Sequence, residues 1–219
     1  MDPELKDLVI RSRPVVVELL EARGYDASAY LDQAPSAIAG LYLAASNQAA
    51  AGPLKIRGKR KEGSAAAKEY CEVVYLVFEK IKSNITKKPL DGPNRWPYIE
   101  NTENTEYIFI LNESYHEIFD LTAIQAWQKG IRLSFFNVKQ LIFNPSKHSL
   151  VPPHERVPAG EVPNIKKQFN LIHLKQLPLI KYHIDMQSRW LGLVPGDIVK
   201  ITRISPTSGE YIEYRYCSV

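Results

Sequence analysis

Val194-Pro195-Gly196-Asp197-Ile198-Val199-Lys200-Ile201-Thr202-Arg203-Ile204 reads as a tight turn running into a strand. Pro-Gly punctuates the chain, and the residues after it alternate. Ile198, Lys200, Thr202 and Ile204 fall on one face, with Val199, Ile201 and Arg203 on the other. Residues 205–209 are a second turn, where Gly209 suits a positive φ. Residues 210–217 then pair back, which makes a hairpin. Upstream, Asp185 is placed to cap a short helix through Trp190 and Leu191, stopped by Gly192. Residues 179–183 read as a strand and 164–169 as a helix. A hairpin packed on short helices is a small α+β unit, expected over 164–219.

Before it lies a stretch with Pro145, Pro152, Pro153, Pro158 and Pro163. No other part of the chain looks more like a boundary, so 145–163 is expected to be a linker and 1–144 a separate domain. Within 1–144, residues 107–111 (Tyr-Ile-Phe-Ile-Leu) form a continuous apolar run, hence a buried strand. Residues 112–129 read as a helix ending at Gly130, and 131–136 as another strand. Strand, helix and strand in so short a span is a βαβ unit with parallel strands. Residues 70–78 are β-branched and aromatic and predict a further strand. The N-terminus predicts helix, with Asp2 as cap, Pro3 in the first turn and Gly24 as the stop. Pro14 is expected to break or restart it, with Ser12 as a second cap. A second helix is expected from Ser36 to about residue 50. Residues 86–106, with three prolines and two Asn-Thr pairs, read as a long loop or insertion. The fold class is α+β: N-terminal helices, an α/β domain, and a small α+β domain ending in a hairpin.

The chain has 219 residues, 45% hydrophobic and 24% charged, a globular composition that excludes whole-chain disorder. No apolar run reaches the roughly 18–20 residues of a membrane span, so no membrane association is expected. The acidic start, Met1-Asp2-Pro3-Glu4, predicts no signal peptide. Two cysteines, Cys71 and Cys217, cannot build a disulfide framework and read as buried thiols. The net charge of +4 is unevenly spread. Residues 55–68 hold six cations, Lys55, Arg57, Lys59, Arg60, Lys61 and Lys68, against Glu62 alone. Residues 163–219 hold eight cations against four carboxylates. Such local basicity suits a polyanion or an acidic protein partner. The 55–68 segment, with two glycines, reads as an exposed loop, either contacting the DNA backbone through those six cations or simply solvated.

Chemistry-bearing motifs are missing from the sequence. It contains no Gly-rich phosphate loop, no Gly-x-Ser-x-Gly, no Cys-x-x-Cys and no His-Glu-x-x-His. His148, His154 and Glu155 share a Pro-rich loop but fall short of a metal set. His183 at a strand end reads as an ordinary polar residue. A nuclease needs carboxylates converging on a metal, and Asp91 with Glu79 and Lys80 have the wrong spacing. No cofactor, metal or small-molecule substrate is expected.

The C-terminal quarter carries something more specific. Leu177-Pro178-x-Ile180, Asp185-x-x-x-Arg189-x-x-Gly192-Leu193, Gly196-x-x-Val199-Lys200-Ile201-x-Arg203, Ser205-x-Thr207-x-Gly209-x-Tyr211 and Tyr214-Arg215 follow one another almost without gaps. The set resembles the assembly domain of the fifth shared subunit of eukaryotic nuclear RNA polymerases and its counterpart in the archaeal RNA polymerase. The likeness is dense over 132–219, where residues 147–154 look like the family's inter-domain segment. It is sparser near 15–25, where Leu19-Leu20-Glu21-Ala22-Arg23-Gly24-Tyr25 looks like a family helix end, and faint over 45–106. Met186 stands where the family has Pro, Trp190 where it has Tyr, and Val194-Pro195 where it has a basic pair. These departures point to a divergent version, with a large DNA virus as one expected source.

The resemblance implies a non-catalytic subunit of a DNA-directed RNA polymerase. It implies an N-terminal nuclease-like jaw domain beside downstream duplex DNA, and an assembly domain on the largest subunit among the other polymerase subunits. Docking would fall to Asp185, Arg189, Gly192, Gly196, Lys200, Arg203, Gly209, Tyr214 and Arg215. The expected location is the site of transcription: the nucleus for a cellular copy, the virion and host cytoplasm for a viral one. The alternative is a free-standing nucleic-acid-binding protein using 55–68.

Overall fold

The computed structural model describes residues 2–48, 52–85, 96–205 and 209–219. The chain divides into two compact units, Met1–Asn144 and Pro145–Val219.

The first unit is built from helices α1 (Pro3–Ala22), α2 (Pro35–Gln48), α3 (Ile81–Ile85) and α4 (Glu117–Gln128). Its sheet holds β1 (Tyr25–Asp26), β2 (Ile56–Arg60), β3 (Tyr70–Leu76), β4 (Thr105–Leu111) and β5 (Leu133–Asn137), in that spatial order. β1, β2 and β3 pair antiparallel, while β3, β4 and β5 run parallel. The expected βαβ unit is β4–α4–β5, with Tyr107 opposite Leu133. Every residue of β4 is buried, and its apolar run over 107–111 is what a central parallel strand covered on both faces requires. One side of the sheet is aromatic: Trp96 stands edge-on to Phe109 at 5.3 Å, and Phe119 meets Phe135 at 5.1 Å.

Two expectations for this unit are corrected. Pro14 does not break α1, which runs through it without interruption. Pro removes one i→i−4 hydrogen bond, but Val9, Val16, Leu19 and Leu20 are fully buried and hold the helix on either side of it. Ser12 is no cap; its hydroxyl bonds Val9 O at 2.9 Å and Tyr75 at 3.0 Å. Nor is 55–68 a loop throughout, because residues 56–60 form β2, paired on both edges. Ile56 anchors it in the core. Gly58 eases the close approach there, since a Cβ would stand a tight 3.1 Å from Tyr25 Cβ on the neighbouring strand. Arg57 and Lys59 project outward by alternation and Arg60 is exposed at the strand end, and these charges hid the strand in the composition.

The expected second helix is α2; its last expected residues, 49 and 50, lie outside the described residues. Of the 86–106 stretch, residues 86–95, including Asp91, also lie outside the described residues. Residues 96–104 form turns that carry Trp96 into the core, and Thr105 opens β4.

The second unit has β6 (His154–Arg156), α5 (Val162–Gln168), β7 (Leu179–Lys181), α6 (Met186–Leu191), β8 (Ile198–Ser205) and β9 (Gly209–Ser218). Its sheet order is β6-β8-β9-β7. The β8–β9 hairpin is the expected one, with Ser205 opposite Gly209; turn residues 206–208 lie outside the described residues. Val157, Ile165, Leu177 and Ile198 form the core beside α5, with Tyr214 and Tyr216 against it. The Pro-rich 145–163 stretch read as a linker carries a 3-10 turn, β6 and the first turn of α5, all inside this unit. β7 stops at Lys181 rather than 183, because His183 takes φ +62 and turns the chain toward α6.

Candidate docking face and basic groove

Four of the nine residues named for docking shape the second unit's backbone. The Asp185 carboxylate caps α6, accepting from Gln187 N at 2.8 Å and Ser188 N at 3.0 Å. Gly192 ends α6 in the left-handed region, and Leu193 N bonds back to Ser188 O. Gly196 has φ +107 in the turn before β8, where its N–H reaches Cys217 O at 3.0 Å. Gly209, with φ +73, opens β9. A fifth, Arg189, is 5% exposed and belongs to the interior of this unit.

The remaining four lie on the hairpin. Lys200 sits 3.6 Å from Glu155 on β6. Arg203 and Arg215 converge on one carboxylate, Glu213, at 3.2 and 2.8 Å. Two guanidiniums on one carboxylate leave that face net positive. Tyr214 stands on the opposite face, its ring 5.7 Å from Phe169. Register separates the two sets: Lys200, Thr202 and Ile204 share a face with Tyr214, Ile212 and Glu210, and Arg203 shares one with Tyr211 and Glu213.

Apolar side chains that the sequence reading did not single out sit beside them. Ile204 is 91% exposed and Leu150 is 85% exposed. Both line a shallow groove of about 370 Å³ with Pro152, Pro153 and Thr202. Ile212, Tyr211 and Phe169 are exposed as well. The alternation of β8 and β9 was the available signal, since it puts Ile204 and Ile212 on one face at the hairpin's far end.

In the first unit, the six cations of 55–68 divide. Lys55 and Arg57 turn to Glu72 on β3, at 2.6 and 3.8 Å, and the Arg57 guanidinium lies 4.2 Å over the Tyr70 ring. Lys59, Arg60, Lys61 and Lys68 line an open groove of about 890 Å³. Its turn is bolted to the end of α1, because Lys61 N and the Ser64 hydroxyl both donate to Gly24 O at 2.9 Å. Lys68 Nζ is committed to the carbonyls of Thr102 and Glu103. Glu62, Glu69 and Glu103 line the same groove, so four cations face three carboxylates there. Among the described residues no group of three His, Cys, Asp or Glu side chains is placed to hold a metal ion. His148 Nδ1 accepts from Leu150 N, and His154 Nδ1 contacts Pro152 O.

The second unit is thus an α+β domain whose hairpin is net positive on the Arg203–Glu213–Arg215 face and carries the exposed Ile204 and Ile212 beside Lys200 and Glu210 on the other. Comparison with known proteins says of which kind the domain is. Residues 143–217 match the family model described as RNA polymerase Rpb5, C-terminal domain. The chain is 45% identical over 73 residues to DNA-directed RNA polymerase subunit Rpo5 of Methanosarcina barkeri, covering 33% of this chain and 91% of the relative. It is 47% identical over 68 residues to Rpo5 of Methanocaldococcus jannaschii, covering 31% and 85%. It is 38% identical over 90 residues to the subunit rpabc1 of RNA polymerases I, II and III of Dictyostelium discoideum, covering 41% and 45%. The chain belongs to the Rpb5/Rpo5 family of DNA-directed RNA polymerase subunits.

Proposed function

We propose that this chain is a non-catalytic subunit of a multisubunit DNA-directed RNA polymerase. Its C-terminal unit is the assembly domain and docks on the largest subunit. Its N-terminal unit is a jaw domain that borders downstream DNA, and the chain has no active site of its own. One observation carries the reading: the 143–217 match, which spans nearly all of the second unit. The hairpin offers what docking needs, a net positive face through Arg203 and Arg215 and, on the other face, apolar side chains at Ile204, Ile212 and Tyr214.

The role at DNA is electrostatic and depends on the assembled enzyme. Lys59, Arg60 and Lys61 supply sequence-independent phosphate contacts. With three carboxylates in the same groove, they are too nearly balanced to hold duplex alone. That balance speaks against a free-standing nucleic-acid-binding protein. The chain acts at the site of transcription, and its departures from the family pattern at Met186, Trp190 and Val194-Pro195 fit a divergent copy, cellular or viral.

Tagged chain is purified from its source and the captured proteins are identified by mass spectrometry. Recovery of the large polymerase subunits, lost on deleting 164–219 and retained in part on deleting 1–130, is the expected result. Equal recovery with the N-terminal part alone refutes the docking assignment.

A further inference from the structure

We propose that the outer edge of β9, from Gly209 to Arg215, accepts an extended segment of another polymerase polypeptide as an added strand. The proposal rests on the reading that this chain works inside a polymerase, and it names how the second unit is held there. β9 is ten residues long, but β7 pairs with its last three only, Tyr216 to Ser218. Its other edge is fully taken by β8. Among the described residues, no strand pairs with the outer edge between Gly209 and Arg215.

The direction of the backbone groups follows from two bonds. Tyr216 N donates outward to Pro178 O at 2.9 Å, on the β7 side. Cys217 N donates inward to Asp197 O at 2.8 Å. Successive residues of a strand alternate in hydrogen-bonding direction. The N–H and C=O groups of Tyr214, Ile212 and Glu210 therefore point outward, and those of Arg215, Glu213 and Tyr211 point to β8. Glu210 and Ile212 are exposed residues on a stretch of edge that no strand covers among the described residues. A strand edge of this length is a ready template for another strand, and natural proteins commonly shield one. Here no proline, lysine or bulge blunts it.

The side chains define the occupant. On one face it meets Ile212, with Tyr214 and Phe169 behind, so apolar residues are needed at alternate positions. On the other it meets Tyr211 and the Arg203–Glu213–Arg215 cluster, where two guanidiniums share one carboxylate and a second carboxylate is welcome. The occupant is thus an extended segment with alternating apolar residues and an acidic residue on the opposite face. A second copy of this chain offers a poorer match, because its own edge repeats the net positive cluster.

The test compares hydrogen exchange in the free full-length chain and in the purified polymerase, quenched and read residue by residue by fragmentation mass spectrometry. In the free chain, the amides of Glu210 and Ile212 exchange fast while those of Tyr211, Glu213 and Arg215 are protected. In the polymerase, the outward amides become protected too and the alternation disappears. Ile212→Pro removes one outward N–H at a position where an edge strand tolerates proline. It is expected to lower co-purification with the polymerase by about two- to tenfold, as loss of a backbone hydrogen bond implies. The inward amides of the variant report whether the hairpin survives, and if it does not, the wild-type exchange decides alone. A chain that co-purifies while its outward amides still exchange fast overturns the added strand and leaves the polymerase reading intact. Failure to co-purify at all overturns both. Protection that grows with concentration of the free chain assigns the edge to a second copy and also overturns the proposal.

Discussion

Arg23 and Glu106, 83 residues apart in sequence, form a buried ion pair at 2.5 Å between the end of α1 and β4. Tyr25 donates to the second oxygen of the same carboxylate at 2.8 Å, and Arg23 also reaches Ser134 on β5 at 3.2 Å. Arg132 approaches at 4.0 Å. One carboxylate thus ties the helix end, β1 and the parallel strands together. Glu106→Gln or Arg23→Met is expected to cost about 3–5 kcal/mol, because each strips a buried charge of its closest partner. The double variant is expected to lose less than the two single losses added. Chemical denaturation of all three measures both effects, and strictly additive losses contradict the coupling.

The same pair sets an acid limit. Burial pushes the Glu106 carboxyl up, but Arg23 and Arg132 with the Tyr25 hydroxyl outweigh it and hold it below its ordinary value of 4.5. A depressed carboxyl contributes stability that is present above its unfolded pKa and is lost as pH falls through the folded one. Wild type is therefore expected to lose stability on acidification below about pH 4.5, and Glu106→Gln to lose less over the same window. Urea midpoints between neutral and acidic pH check this; parallel curves count against it.

Gly24 holds φ +87 at the end of α1, and a Cβ there would stand 2.8 Å from Ser64 Cβ. Gly24→Val combines backbone strain with a collision against the turn over residues 61–64. A loss of about 1–3 kcal/mol is expected, which lowers the melting midpoint by roughly 2–12 °C for a chain of this size. An unchanged midpoint is incompatible with the geometry.

Lys59, Arg60 and Lys61 replaced together by Ala should shorten the lifetime of elongation complexes most at low salt. The difference should shrink as salt rises, because each lost phosphate contact lowers the salt slope by about one unit. Lifetimes equal to wild type across the whole salt range remove the DNA role of the groove.

Burial pushes the Cys71 thiol well above its usual value and the Cys217 thiol up to about 11. Little thiolate exists in either at mildly alkaline pH. Both should resist alkylation in the native protein and react on unfolding, as mass spectrometry after timed iodoacetamide treatment would reveal. Rapid native modification of Cys217 would show that its pocket beside Ser188 opens.

The sequence by itself determined the elements whose signals are local. The apolar run of 107–111 announces a buried parallel strand, because only a strand covered on both faces tolerates it. The Asp185 cap, the Gly192 stop and the β8–β9 alternation are equally short-range, and the polymerase motif is written across them. Tertiary structure alone decided the rest. Charged β2 is a strand because β1 and β3 supply its backbone partners and Gly58 lets Tyr25 approach, which no window of 55–68 reveals. α1 passes Pro14 because burial on either side outweighs one missing hydrogen bond. Arg23 reads as part of a helix end, yet its partner Glu106 is named only once the sheet has closed between them. Whether a cation of 55–68 faces a phosphate or a carboxylate follows from which side chains the fold brings within a few ångströms, and Coulomb interaction at that range depends on distance in space rather than along the chain.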